Sequence, residues 1–163
     1  MNQINPNTRV ISRPLRWIYL ATTFFLVLSG FGQMPIFKRY YIADIPGLGW
    51  LANFHATHYI HYIGAIVFFA FCVYAAVVYR GLISKQFQLT RTAYIRIALL
   101  ALIAITGIFR VLKNLPDVVF SPLFTMAIDI SHLVFMMLLM LSGVTFIIFK
   151  KGWLTEKNER EME

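Results

Sequence analysis

The chain has 163 residues, of which 59% are hydrophobic, 16% aromatic and only 13% charged, with a formal net charge of +8. About a quarter of the residues in a water-soluble domain are charged, so this composition indicates an integral membrane protein in a lipid bilayer. The basic residues flank apolar runs, which favours membrane topology over a nucleic-acid partner. The single cysteine, Cys72, excludes an internal disulfide, a Cys-x-x-Cys redox pair and a c-type haem attachment site.

Four apolar runs are long enough to cross a bilayer, since about 20 apolar residues span it as a helix. They predict transmembrane helices at 15–37, 53–79, 91–112 and 130–149, with a charged tail at 150–163. We expect an all-α fold, with residues 1–163 forming one integral membrane four-helix bundle. Neither a cleaved signal peptide nor an internal repeat is expected.

Helix-breaking residues mark the two long connectors, which follow the first and third runs. The first connector contains Pro46 and Gly47, and the second, at 113–129, contains Pro116 and Pro122. The apolar middle of the second connector is predicted to lie at the membrane interface. In the third run, Arg96 and Arg110 are expected to extend towards the two membrane surfaces.

The basic residues are distributed unequally between the two sides of this arrangement. The side with both chain ends carries eleven of them: Arg9, Arg13, Arg16, Arg80, Lys85, Arg91, Arg96, Lys150, Lys151, Lys157 and Arg160. The other side carries Lys38, Arg39, Arg110 and Lys113. Because cytoplasmic loops are enriched in Lys and Arg, both termini are predicted to be cytoplasmic and both long connectors to face outwards.

The four histidines all fall in the outer parts of the second and fourth helices. His55, His58 and His61 follow one another at intervals of three residues, and His132 opens the fourth run. Ionisable side chains in membrane segments are costly and usually mark a function. A haem iron bound by two histidines takes one from each of two facing helices at similar depth, and this set meets that condition.

Helix geometry selects among the three clustered histidines. They spread over roughly 120° of the helix surface, so one of them can face the bundle as a ligand. His61 is the deepest and lies beside Gly64 and Ala65, whose small size would leave room for a flat macrocycle. We therefore predict His61 and His132 as axial ligands of a haem iron, with His58 as the alternative ligand.

Other interpretations of the histidines remain open at this point. Three histidines from two helices could bind zinc, but their spacing turns the third imidazole away from the first, and Asp129 is the only carboxylate close to His132. Interfacial histidines bonded to headgroups explain one position more easily than the matched set. Gly30, Gly107 and Gly143 put a small residue that could leave room for a macrocycle on each of the other helices, with plain helix packing as the alternative. No set of residues for nucleophilic catalysis can be assembled.

Short motifs resemble the four-helix b-type cytochrome subunits of membrane-bound formate dehydrogenases (the gamma subunit) and nickel-iron hydrogenases. In that family the first helix carries a His-Trp pair and then Ser-Gly, where this chain has Arg16-Trp17 and Ser29-Gly30. The second helix of the family starts with a histidine followed by glycine four residues on. Here His61 is followed by glycine at three residues and alanine at four.

The fourth helix of the family carries two histidines about four turns apart. His132 matches the first, and the second falls on Phe146. The resemblance implies that Arg16 and Phe146 replace the ligands of the cytoplasmic-side haem. It then leaves one haem b, bound by His61 and His132, on the outer side.

The resemblance also implies a function as an electron-transfer subunit rather than a catalytic one. Electrons would pass between quinone or menaquinone and an outer-facing iron-sulfur or multihaem subunit, at the cytoplasmic membrane of a bacterium or archaeon. The alternative is a haem-free membrane anchor of a peripheral oxidoreductase.

Several residues near the outer surface are candidates for supporting contacts. Arg110 and Lys113 are candidate propionate partners, although headgroup contacts would also explain them. His55, His58 and Asp129 are candidate quinone contacts, with helix capping as the alternative for Asp129.

Overall fold

The computed structural model describes residues 13–34, 41 and 44–157. The fold is mostly helical, with four helices long and apolar enough to cross a membrane. They are α1 (Arg13–Gly32), α2 (Phe54–Val78), α3 (Arg91–Leu112) and α4 (Pro122–Ile148). Four basic residues used above to predict the topology, Arg9, Lys38, Arg39 and Arg160, lie outside the described residues.

The chain divides into two compact units, Met1–Gly81 and Leu82–Glu163, which contain one helical hairpin each. The first unit holds α1 and α2, and the second holds α3 and α4. The second unit also contains a two-stranded antiparallel sheet, which pairs β1 (Phe87–Leu89) with β2 (Leu154–Glu156). This small sheet was not expected in an all-α chain. The expected single domain of 1–163 stays a prediction.

The connector of the first unit folds onto its hairpin. A 3-10 turn at Gly49–Ala52 buries Leu51, which is only 1% exposed. A Cβ at Gly32 would lie 3.0 Å from Leu51 Cδ2, so the end of α1 and this turn are in close contact. Asn53 then caps α2 by accepting a hydrogen bond of 3.1 Å from the backbone N–H of Ala56.

The helix boundaries differ from the sequence-based expectation mainly at three places. The second membrane-length helix continues past the expected end at residue 79 as a π-helical turn, Tyr79–Ile83. α1 ends at Gly32 instead of residue 37, and Gln33 and Met34 form a turn and bend. α4 begins at Pro122 instead of residue 130, because Ser121 caps it and proline fits a first helical turn, where no N–H partner is needed. Much of the apolar segment predicted at the interface is therefore helix. His132 is the eleventh residue of α4, in its third turn.

One end of the second hairpin is closed by a buried arginine. Arg96 on α3 is only 7% exposed. Its guanidinium carbon lies 4.6 Å from the ring centroid of Phe146 and 4.7 Å from that of Trp153. Its Nη2 donates a hydrogen bond of 3.0 Å to the backbone carbonyl of Lys151. The side chain therefore ties α3 to the end of α4 and to the segment that enters β2.

We expect Arg96→Lys to loosen this end of the hairpin. A lysine ammonium cannot reproduce a planar group stacked on two rings, and such contacts are worth about 1–2 kcal/mol when desolvated. Hydrogen exchange of the amides at 152–157 in detergent should accelerate about fivefold or more, as a loss of about 1 kcal/mol implies. The exposed Arg91→Lys is the matched control, and equal exchange in both variants would contradict the role given to Arg96.

Candidate functional site: two hydroxyl-bonded histidines

In the first hairpin His61 on α2 lies against the Ser29-Gly30 pair of α1. Its Nδ1 is 3.1 Å from Ser29 Oγ. A Cβ at Gly30 would lie 3.3 Å from His61 Cε1, which is tighter than ordinary contact. The serine therefore bonds the ring, and the neighbouring glycine leaves the space that the ring needs.

The second hairpin repeats this arrangement with its own residues. His132 on α4 has its Nδ1 2.9 Å from Thr106 Oγ1 of α3. A Cβ at Gly107 would lie 3.4 Å from His132 Cε1. In each hairpin the first helix supplies a hydroxyl followed by glycine, and the second supplies the histidine. Only the contact is repeated, and the expected absence of a sequence repeat stays a prediction.

The repeat is hard to recognise in the sequence. The hydroxyl residue and the histidine are 32 positions apart in the first hairpin and 26 in the second. One hydroxyl belongs to serine and the other to threonine, and the connectors share no motif. The available signal is the dipeptide of a hydroxyl residue and glycine near the end of each hairpin's first helix. Thr106 was missed because nothing distinguishes it from an ordinary helix-internal threonine.

The hydroxyl groups determine which nitrogen of each histidine carries hydrogen. Ser29 Oγ donates to the carbonyl of Leu26 at 3.2 Å, and Thr106 Oγ1 donates to that of Leu102 at 2.8 Å. A hydroxyl whose single hydrogen goes to a helix carbonyl can only accept from the imidazole. From this network we assign the Nδ1–H tautomer to His61 and His132, with the lone pair on Nε2.

This tautomer is the one that suits a metal ligand bonding through Nε2. A metal-bound histidine almost always donates its other ring N–H to a nearby acceptor, which orients the ring. Ser29 is completely buried, so water does not compete for this bond. Both histidines are therefore held at Nδ1 by a contact within their own hairpin.

The other two histidines lie in a row of aromatic rings along α2. The His58 ring stacks on Phe54, with 5.1 Å between centroids, and contacts Tyr62 at 4.2 Å. His55 is exposed and meets the edge of the Phe54 ring at 5.9 Å. The contacts described for these two rings are with aromatic neighbours, whereas those of His61 are with Ser29 and the Gly30 backbone.

The three charged candidates of the second hairpin form one ionic cluster. Asp129 on α4 lies 3.0 Å from Arg110 Nε and 2.7 Å from Lys113 Nζ. Two cations surround one carboxylate, so the cluster keeps a net positive charge one turn of α4 from His132. The capping alternative for Asp129 is wrong, because Ser121 is the N-cap of α4. Its assignment as a quinone contact and those of Arg110 and Lys113 to propionates stay predictions.

The glycines that were expected to leave room for a macrocycle have different surroundings. A Cβ at Gly64 would lie 3.0 Å from Leu26 Cγ, so this glycine allows close packing of α1 on α2. A Cβ at Gly143 would meet nothing within 4 Å. The space predicted at Gly64 is therefore filled by Leu26, and helix packing explains this residue.

No three histidine, cysteine, aspartate or glutamate side chains gather into a metal-binding group within the described part of the chain. The two histidine sites each offer a single imidazole from one hairpin. The ligand role of each therefore has to be judged from the geometry of its own hairpin.

Comparison with known proteins adds no further assignment. No protein-family model matches the chain, and neither a curated protein nor a solved structure matches it.

We expect Gly64→Ala to destabilise the first hairpin, because the added Cβ meets Leu26 and overpacking costs about 1–3 kcal/mol. The midpoint of thermal unfolding in detergent, followed by circular dichroism, should fall. Gly143→Ala is the matched control and should leave the midpoint unchanged or raise it, since alanine favours helix over glycine by about 0.5–1 kcal/mol. Gly64→Ala should cost less in a Leu26→Ala background, and equal costs in both backgrounds would contradict the contact.

Proposed function

We propose that the chain is a b-type cytochrome membrane subunit of a respiratory redox complex and binds one haem b. His61 and His132 would be the axial ligands of its iron. The observation that carries this proposal is the repeated hydroxyl–imidazole contact, which holds one histidine of each of two hairpins at its Nδ1. A histidine that only contacts lipid headgroups would not need a hydroxyl partner on the neighbouring helix, and here two histidines have one.

The residues present fit a bis-histidine haem in their donor chemistry. Neutral imidazole nitrogens are established axial ligands of haem iron, and their second-shell partners tune it. When bound, the haem supplies one-electron transfer. The two imidazoles would fill both axial positions, so no position remains for dioxygen. The net positive cluster of Arg110, Lys113 and Asp129 offers an anionic propionate an opposite charge near His132.

Two positions of the chain support one haem rather than two. Phe146 stands where the resemblance implies a ligand for a second haem, and its ring is covered by the Arg96 guanidinium. Arg16 stands at the other such position and is exposed at the start of α1. Neither residue offers a ligand to iron, and Arg96 uses the space over Phe146 to close the hairpin.

The side of the membrane on which we place the site follows from the distribution of basic residues in the sequence. With both termini cytoplasmic, His61 and His132 lie in the outer half of the membrane. Electrons would pass between the haem, a quinone or menaquinone near it, and an outer-facing iron-sulfur or multihaem subunit. His55, His58 and Asp129 remain the candidate quinone contacts. The membrane would be the cytoplasmic membrane of a bacterium or archaeon.

Haem content of the purified chain tests the proposal. The pyridine haemochrome assay should give one haem b per chain, and His61→Ala and His132→Ala should each retain less than about a tenth of it, because mutating even a ligand's supporting contact costs 10–100-fold in affinity. His58→Ala and His55→Ala are the controls and should keep the haem. Haem loss in His58→Ala with full retention in His61→Ala would transfer the ligand role to His58. A colourless protein would favour the haem-free anchor.

Cysteine labelling on intact cells tests the proposed orientation. Cys72→Ala provides a background without native cysteine, into which Ser84→Cys or Asn114→Cys is introduced. A membrane-impermeant maleimide should label the cysteine at 114, on the outward connector, and should label the one at 84 only after the cells are opened. The reverse pattern would place the histidines in the cytoplasmic half.

A further inference from the structure

We infer that Ser29 and Thr106 are positioning residues that set the orientation and donor strength of the two axial imidazoles, and through them the reduction potential of the haem. This inference rests on the proposed function. It concerns two hydroxyl groups that neither the resemblance nor the comparisons assign to any role.

The geometry of each ring carries the inference. The hydroxyl lies within hydrogen-bond distance of Nδ1, and a Cβ added at the neighbouring glycine would lie 3.3 Å (Gly30) or 3.4 Å (Gly107) from Cε1. The bond from Cγ to Cβ and the hydrogen bond at Nδ1 together fix the plane of the imidazole. Nε2 is bonded to Cε1, so the direction of its lone pair is fixed as well. The glycines add only packing, whereas the hydroxyl groups exert a chemical influence. The Ile103 backbone, Arg110 and Asp129 also act on the His132 ring.

The chemical influence follows from the direction of the hydrogen bond. An acceptor at Nδ1–H increases the electron density of the imidazole, and a better donor stabilises ferric over ferrous iron. Each hydroxyl has already given its hydrogen to a helix carbonyl, which strengthens it as an acceptor in a chain of hydrogen bonds. Removing the hydroxyl should therefore make ferric iron less favourable and raise the potential.

The test uses the whole purified chain with Ser29→Ala and Thr106→Val. Each variant should shift the ferric–ferrous equilibrium about threefold towards the ferrous form. This raises the reduction potential by about 28 mV, at 59 mV per tenfold for one electron. The conservative variants Ser29→Thr and Thr106→Ser should return it towards the wild-type value. If a variant loses its haem, recovery of haem in its conservative counterpart, with unchanged circular dichroism, supports the inference equally.

The chain provides matched controls for the loss of a helix hydroxyl. Thr23 on α1 donates to the carbonyl of Tyr19 at 2.9 Å, and Thr145 on α4 donates to that of Leu141 at 2.7 Å. Thr23→Val and Thr145→Val remove the same kind of bond away from the two imidazoles and should leave the potential unchanged. Equal shifts in these controls, or wild-type potentials in Ser29→Ala and Thr106→Val, would overturn the inference.

A readout without haem separates this inference from the proposed function. ¹⁵N NMR of histidine-labelled protein should show the Nδ1–H tautomer for His61 and His132, and Ser29→Ala should change only the His61 signals. A colourless wild-type protein with these tautomers would refute the haem and retain the hydroxyl contacts. A red protein whose ligands are His61 and His132, with other tautomers, would refute the positioning role alone.

Discussion

The site depends on two hydroxyl groups, each of which donates its single hydrogen to a carbonyl of its own helix. In a membrane helix, serine and threonine commonly donate to a carbonyl of the preceding turn. The oxygen can then only accept, and a histidine on the neighbouring helix that meets it must present an N–H. Ser29 and Thr106 each impose this condition on one histidine. The tautomer of both rings thus follows from the backbone of the helix opposite.

The rest of each hairpin brings that oxygen to its histidine. Gly30 leaves space for the His61 ring, Gly107 lies beside the His132 ring, and Gly64 lets α1 and α2 approach closely at Leu26. Asn53 and Ser121 cap the histidine-bearing helices and so determine in which turn His61 and His132 lie. In the second hairpin the Arg96 side chain closes the end where β1 and β2 pair. This end lies further along α4 than the turn that holds His132.

Much of this could be predicted from the sequence, and the misses have physical reasons. Helix α3 was predicted to the residue, because its apolar run is bounded by polar residues. The start of α4 was missed because Pro122 was treated as a breaker, although proline also suits a first helical turn. The sheet was missed because three-residue strands carry too little periodicity to be recognised.

The candidate site could be predicted only in part. His61 and His132 were singled out because an ionisable side chain in an apolar helix costs free energy and usually marks a function. Their hydroxyl partners could not be predicted, because they depend on which helices pair, and residue spacing does not reveal that. Gly64 was predicted to leave room for a macrocycle, but the sequence does not distinguish a glycine beside a ligand from a glycine beside another helix. Capping was an alternative for Asp129 only because the start of its helix was placed eight residues too late.

The most direct measurement of the central claim is near-infrared magnetic circular dichroism of the oxidised, purified chain. This spectrum reports the chemical identity of both axial ligands of a low-spin haem. Two imidazoles bound to a single haem is the result that the proposal predicts. A high-spin haem, a haem with one imidazole and a different second ligand, or no haem at all would contradict it.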